Sequence, residues 1–340
     1  MQTLSKGERN FAIDIAKFIC LFLMVYCHIP IAAGYFHESV YSFHMPLFFF
    51  VGGLFFNPAR FSINKGFKTL ILPYIYFNLL ILVLDSCIGY IYHNISVDAI
   101  WGNIKGIIVG SCRKNSYGLN LPSDASWFLV AYFFTKIAMR YIFNQVNIIN
   151  TLSITALTIC IVLLRNKWTI FLWNLDSAVL GLVFFYIAYA LKDKIFSVMN
   201  TKGSIWLLLL FFPLTCISWI NGQVDMFACN WGENPLLFFL FALVGILCVL
   251  LFGVIVNTVN IPMKYLKSIL RGSIFIICMN LWLIDYISLI YRRTMHVDTN
   301  FVWYEKFCIT LLIFIISLPC VNIMMKYFPF MLGKIKNNIR

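Results

Sequence analysis

The chain has 340 residues, 61% of them hydrophobic and 11% charged, with 34 phenylalanines, a mean hydropathy of +0.87 and a net charge of +13. A soluble domain of this length carries about a quarter charged residues, so a soluble globular fold is excluded. Lipid-facing backbone must satisfy its own hydrogen bonds and strand-length alternation is absent, which sets aside an outer-membrane barrel and leaves an all-α integral membrane protein.

Apolar runs of about 20 residues, the length that spans a bilayer as helix, recur along the whole chain. They predict a polytopic bundle of about ten transmembrane helices near 15–35, 40–56, 69–92, 126–143, 148–164, 169–191, 203–220, 236–257, 273–291 and 307–325, forming one membrane-embedded domain over 1–340 with no soluble domain. With the N-terminus inside, the cytoplasmic loops and ends collect 18 of the 26 basic residues and the opposite side 8. The positive-inside rule then places both termini in the cytoplasm. It also gives the positive charge a cause in topology and anionic lipid, so no nucleic-acid partner is implied. Asp14 and Lys17 interrupt the start of the first apolar run, which is atypical of a secretory signal, and the run is read as an uncleaved first span.

Lys17 and His28 are 11 residues apart on that span. At 100° per residue this is close to three helical turns, so they differ by about 20° in direction and about 16 Å in height. Asp14, one turn before Lys17, shares the stripe. Ionisable groups within spans usually face the bundle interior or a wet cavity. Taken singly, Lys17 also fits a snorkelling lysine paired with Asp14, and His28 a structural histidine bonded to a carbonyl of another helix. On the second span Ser42 and His44 precede Pro46, which is read as lying in the first helical turn, where no donor is lost. Counting inward from the outer ends of the two spans puts His28 and His44 at similar depth in the outer half of the membrane. Gly52-Gly53 allows close backbone approach or a break before Asn57-Pro58. His37 in the short outer turn, His93 at a span end and His296 in an outer loop are read as solvated.

The stretch 93–125, with Gly110, Gly118, Pro122 and several Ser and Asn residues, is read as the longest outer loop. Trp127 opens the fourth span and fits either a ring that stacks on a sugar or an interfacial belt residue. Asn174 and Asp176 open the sixth span, where Asp176 fits either an acceptor-binding carboxylate or a helix cap. Asp225 is a further acid before the eighth span. The eleven cysteines show no metal-ligand spacing, and no metal is expected. Cys112 and Cys229 fall in outer loops, either as a pair or as two thiols.

Together these residues carry a resemblance. Asp14-x-x-Lys17, His28, Phe43-His44-Met45-Pro46-Leu47-Phe48-Phe49-Phe50-x-Gly52-Gly53 and a basic loop ending in Leu72-Pro73-Tyr74 resemble the opening of membrane acyltransferase family 3, in the branch of fucose 4-O-acetylase-like integral-membrane O-acyltransferases. Trp127-Phe128-Leu129, Asn174-Leu175-Asp176-Ser177-Ala178 and Asn221-Gly222-x-Val224-Asp225-Met226 with Pro235-Leu236-Leu237-Phe238 resemble later family segments, so the likeness runs nearly the full length. The resemblance implies transfer of an acyl group, usually acetyl from acetyl-CoA, to a hydroxyl of a cell-surface or lipid-linked sugar such as O-antigen, capsule or exopolysaccharide, at the bacterial inner membrane. Acetyl-CoA is then a donor substrate, with no permanently bound cofactor. Relatives commonly carry arginine where this chain has Lys17, which supplies the charge without the bidentate fork. After Arg271-Gly272-Ser273-Ile274, relatives often carry a histidine where this chain has Asn280, so that histidine's role is not carried over.

The residue chemistry fits independently. Attack of an alcohol on a thioester needs its proton removed, and a neutral imidazole with an ordinary pKa of about 6.5 suits that task. His28 is the candidate, as general base or as covalent acyl relay, with His44 assisting, and Asp14 and Lys17 on the same stripe complete the candidate catalytic set. Lys17, Lys65 and Lys68 are candidates for the donor phosphates, although Lys65 and Lys68 also serve topology. Trp127, Asn174 and Asp176 are candidates for the acceptor. A rival is a transporter or flippase of a lipid-linked glycan with the histidines as a proton relay. The faint likeness of Pro46-Leu-Phe-Phe-Phe to Pro235-Leu-Leu-Phe-Phe, the only hint of the internal repeat such proteins show, follows from the abundance of phenylalanine.

Overall fold

The computed structural model describes residues 10–30, 34–92, 96–110, 119–164, 172–258, 263–295 and 301–334. The fold is an all-α polytopic bundle. Its helices are α1 (Phe11–His28), α2 (Tyr35–Leu54), α3 (Ile63–Gly66), α4 (Leu72–Ile91), α5 (Val97–Val109), α6 (Trp127–Tyr141), α7 (Ile148–Leu164), α8 (Leu175–Ala190), α9 (Lys192–Asn200), α10 (Leu208–Cys216), α11 (Pro235–Val256), α12 (Met263–Arg271), α13 (Ser273–Met295) and α14 (Trp303–Tyr327). A π-helical turn, Phe67–Ile71, joins α3 to α4. Among the described residues, six helical segments are long and apolar enough to cross a membrane: Phe11–His28, Ile63–Ile91, Leu172–Ala190, Pro235–Val256, Ser273–Thr294 and Trp303–Tyr327. The other four expected spans fall on α2, α6, α7 and α10, which are shorter or more polar.

Local chemistry sets the ends of the first two helices. Asn10 caps α1 by accepting from the Ile13 amide at 3.3 Å. At the other end Pro30 restricts Ile29 to extended backbone (ψ 126°), so α1 stops at His28 rather than continuing to residue 35. His28 therefore sits in the last turn of its helix, not deep within it. The next helix starts earlier than expected, at Tyr35, which puts His37 in its first turn and Pro46 in its interior. Pro46 thus has no first-turn exemption. His28 ends α1, and His44 lies nine residues, or about 13 Å, into α2.

The stretch expected as an outer loop contains α5. Ser96 caps it through the Ala99 amide, and Gly110, at φ 73°, terminates it in the left-handed region. Gly106 lets the backbone of Asn120 lie against the helix. The Tyr74 hydroxyl donates to the Ile107 carbonyl at 2.8 Å and ties α5 to α4. Near the end of α2, Gly53 brings the helix onto the Phe185 carbonyl and the Ala188 side chain of α8, so Gly52-Gly53 is a close approach within the helix, not a break. Between α10 and α11 the chain forms a small antiparallel hairpin, β1 (Val224–Asp225) with β2 (Asn230–Trp231). His93, Cys112 and His296 lie outside the described residues, and with Cys112 its pairing to Cys229.

Candidate active site

One stripe of α1 runs past two cavities. Asn10, Asp14, Lys17 and Leu21 line the larger, of about 870 Å³, and Met24, Cys27 and His28 line the smaller, of about 340 Å³. The same holds for α2, where Tyr41, His44 and Met45 face the smaller cavity and Val51, Gly52 and Phe55 the larger. Phe48 and Ile277 line both and form the waist between them.

The smaller cavity gathers histidines. His28, His37 and His44 surround Tyr41, whose ring centroid is 6.3, 4.1 and 4.8 Å from theirs, and all four line the cavity. His44 is buried, and its Nδ1 donates to the Val40 carbonyl at 3.0 Å. His28 Nδ1 lies 2.6 Å from Asn280 Oδ1 on α13. His37 is half-buried and stacked on Tyr41, with its Nδ1 out of reach of solvent, so it is not the solvated turn residue expected.

Opposite the histidines stand two carboxylates and an indole. Asp124 and Trp127 enter from the start of α6, and Asp225 from the hairpin. A buried polar knot holds the first segment. The Ser123 amide donates to Asn78 Oδ1 at 2.9 Å, the Ser123 hydroxyl to the Cys278 carbonyl at 2.7 Å, and Asn78 Nδ2 to the Ser126 hydroxyl at 2.9 Å. These bonds lock the segment between α4 and α13. Asp225 Oδ1 accepts from the Phe227 amide at 2.9 Å, which sets the hairpin turn, and Phe227 packs on Trp127 with centroids 5.5 Å apart.

The larger cavity is basic. Lys17, Arg60, Lys65, Lys136, Arg271 and Lys334 line it against one carboxylate, Asp14, among the described lining residues. Lys17 Nζ is 3.4 Å from Asp14 Oδ1 and 5.6 Å above the Phe55 ring. Lys136 Nζ lies 4.3 Å over the Tyr132 ring. Lys68 is exposed and lines neither cavity, because the wide π turn carries it further round from Lys65 than an α-helical turn would.

Asn174 and Asp176 line neither cavity. Asn174, in the left-handed region at φ 50°, donates to the Gly110 carbonyl and so fastens the end of α5 to the start of α8. Asp176, in the first turn of α8, accepts from the Ser177 amide at 2.8 Å, and the Ser177 hydroxyl donates to the Met226 carbonyl at 3.1 Å. This segment braces the hairpin that carries Asp225 and stands away from the histidines.

Sequence reasoning missed Tyr41, His37, Asp124 and Asn280 in the smaller cavity or beside it, and Arg60, Lys136, Arg271 and Lys334 in the larger. Two signals were present: Tyr41 lies three residues before His44, and Lys136 is a charge inside an apolar span. A model of the acyltransferase domain matches residues 10–328, nearly the whole chain. No curated protein and no solved structure matches it.

Proposed function

Since the chain belongs to membrane acyltransferase family 3, we propose that it is an O-acetyltransferase that moves an acetyl group from acetyl-CoA to a hydroxyl of a cell-surface or lipid-linked sugar at the bacterial inner membrane. The observation that carries this reading is the pair of cavities on one track. A cavity with six cations meets a cavity with three histidines at a waist formed by Phe48 and Ile277.

The donor is a long molecule with phosphates at one end and a thioester at the other. Its phosphates suit the six cations, where charge-assisted hydrogen bonds are strongest. The thioester then reaches toward His28, about 16 Å up α1 from Lys17. The sugar enters the smaller cavity, where Asp124, Asp225 and Trp127 offer hydroxyl acceptors and a stacking face. As the hydroxyl oxygen bonds to the carbonyl carbon, His28 takes its proton. The C–S bond then breaks, with the electron pair leaving on sulfur, and the imidazolium returns a proton to that thiolate. In the relay version, an imidazole nitrogen of His28 attacks the carbonyl carbon and the C–S bond breaks with its pair on sulfur. The sugar oxygen then attacks the acyl carbon, its proton passes by way of His44 to the thiolate, and the C–N bond breaks with its pair returning to the imidazole. His44, its Nδ1 held by Val40, presents Nε2 as a second acceptor for the hydroxyl proton.

The test is acetyl-CoA turnover by purified protein with and without His28→Ala. The variant is expected to insert and fold normally and to lose on the order of 10²- to 10⁴-fold in rate. A folded alanine variant that works at the parental rate would sink the catalytic role of His28. Parental protein that ignores acetyl-CoA but moves a lipid-linked glycan across vesicles would favour the transport reading.

A further inference from the structure

His28 has two ring nitrogens, and one neighbour decides which of them carries the proton. Asn280 is fully buried on α13. Its amide nitrogen donates to two carbonyl oxygens of its own helix, Ile276 at 3.0 Å and Ile277 at 2.7 Å. A carbonyl oxygen only accepts, so the NH₂ group of Asn280 is fixed on that side and its Oδ1 is the atom that faces His28. That oxygen stands 2.6 Å from His28 Nδ1. It too only accepts, so the hydrogen between the two residues belongs to Nδ1. A neutral imidazole has a single N–H, and with that hydrogen at Nδ1 its lone pair sits on Nε2.

We infer that Asn280 is a positioning residue, which through its side-chain oxygen holds His28 as the Nδ1–H tautomer and leaves Nε2 to meet the acceptor hydroxyl. The inference rests on the reading of His28 as base or acyl relay, and both roles need that one lone pair. As the base, Nε2 accepts the hydroxyl proton while Nδ1–H stays on Asn280, and the same Nε2 proton later goes to the departing thiolate. A neutral amide makes the selection without adding a second buried charge. It also ties the histidine to the waist, because the carbonyl that anchors Asn280 belongs to Ile277.

The experiment uses the full chain labelled with ¹⁵N-histidine, comparing the parent with Asn280→Leu and Asn280→Asp. The His28 resonances are assigned by their loss in His28→Ala, and acetyl-CoA turnover is measured on every variant. The parent is expected to show His28 protonated at Nδ1 and not at Nε2. Asn280→Leu, which removes the acceptor, is expected to lose that pattern. Its kcat should fall on the order of 10- to 100-fold, with KM for acetyl-CoA unchanged because the donor phosphates bind in the other cavity. Asn280→Asp keeps an oxygen toward Nδ1 but loses the donor to the Ile276 and Ile277 carbonyls, and should keep His28 protonated at Nδ1 and retain more of kcat than the leucine variant. A parent spectrum with the proton on Nε2 overturns the inference, and so does a leucine variant with an altered spectrum and parental kcat. Should the leucine variant not fold, the parent spectrum and the aspartate variant still decide. Parental activity in His28→Ala would instead refute the catalytic role of His28 on which the inference rests, with the spectra still reporting on Asn280.

Discussion

At the scale of single residues, Lys17 joins a local contact to a distant task. Its ammonium sits 3.4 Å from Asp14, a pair that the i, i+3 spacing announces. It also lines a cavity with five other cations drawn from the α2–α3 connection, α3, α6, α12 and the chain beyond α14. In Lys17→Ala a polyphosphate donor loses one of the six cations that line its cavity, so the apparent KM for acetyl-CoA should rise about 5- to 10-fold, the factor that about 1–1.4 kcal/mol gives, with kcat changed less. Lys17→Arg should stay near the parent. Steady-state kinetics on purified protein decide, and an unchanged KM in the alanine variant would make Lys17 a surface lysine that merely answers Asp14. The stripe of Asp14, Lys17 and His28 was legible because helical period alone fixes it. Lys136, Arg271 and Asn280 were not. Asn280 meets His28 across 252 residues of chain, and which helices converge is decided by tertiary packing.

Helices, at the next scale, set how close the cavity walls come. Gly53 packs directly on the α8 backbone at Phe185, so a side chain there must force α2 and α8 apart. Gly53→Val should destabilise the protein by roughly 1–3 kcal/mol, the usual cost of overpacking. Gly203 offers a control, since a Cβ there meets nothing within 4 Å. Thermal unfolding in detergent should show a clear drop for Gly53→Val and none for Gly203→Ala, and equal behaviour of the two would contradict the close approach. The glycine pair was readable from the sequence as a close approach or a break, but glycine misled in α5. Gly110, Gly118 and Pro122 with several Ser and Asn residues read as loop. In the fold Gly102 and Gly106 are buried in helix packing and Gly110 is the left-handed stop of a 13-residue helix. Pro30 had the opposite effect, ending α1 seven residues short of the apolar run because conformation, not hydropathy, sets that boundary.

Across the whole molecule, charge is sorted by end. All six cations of the larger cavity belong to the eighteen basic residues assigned to the cytoplasmic side from the sequence. The carboxylates of the histidine cavity, Asp124 and Asp225, come from segments assigned to the opposite side. The positive-inside expectation and the proposed acyl-CoA donor, a cytoplasmic molecule whose phosphates need cations, call for the same orientation. The orientation is open to direct measurement. Reporter fusions after residue 340 and after Asn200, the last residue of α9, should both read cytoplasmic. A periplasmic reading after residue 340 would turn the basic cavity away from the compartment that holds acyl-CoA, and the donor assignment would fall with the topology. A periplasmic reading after Asn200 alone would instead break the count of spans between α1 and α9, and Lys192 and Lys194 would move to the outer side. Two cytoplasmic readings would put the six-cation cavity on the side that holds acyl-CoA, as the proposed donor site requires.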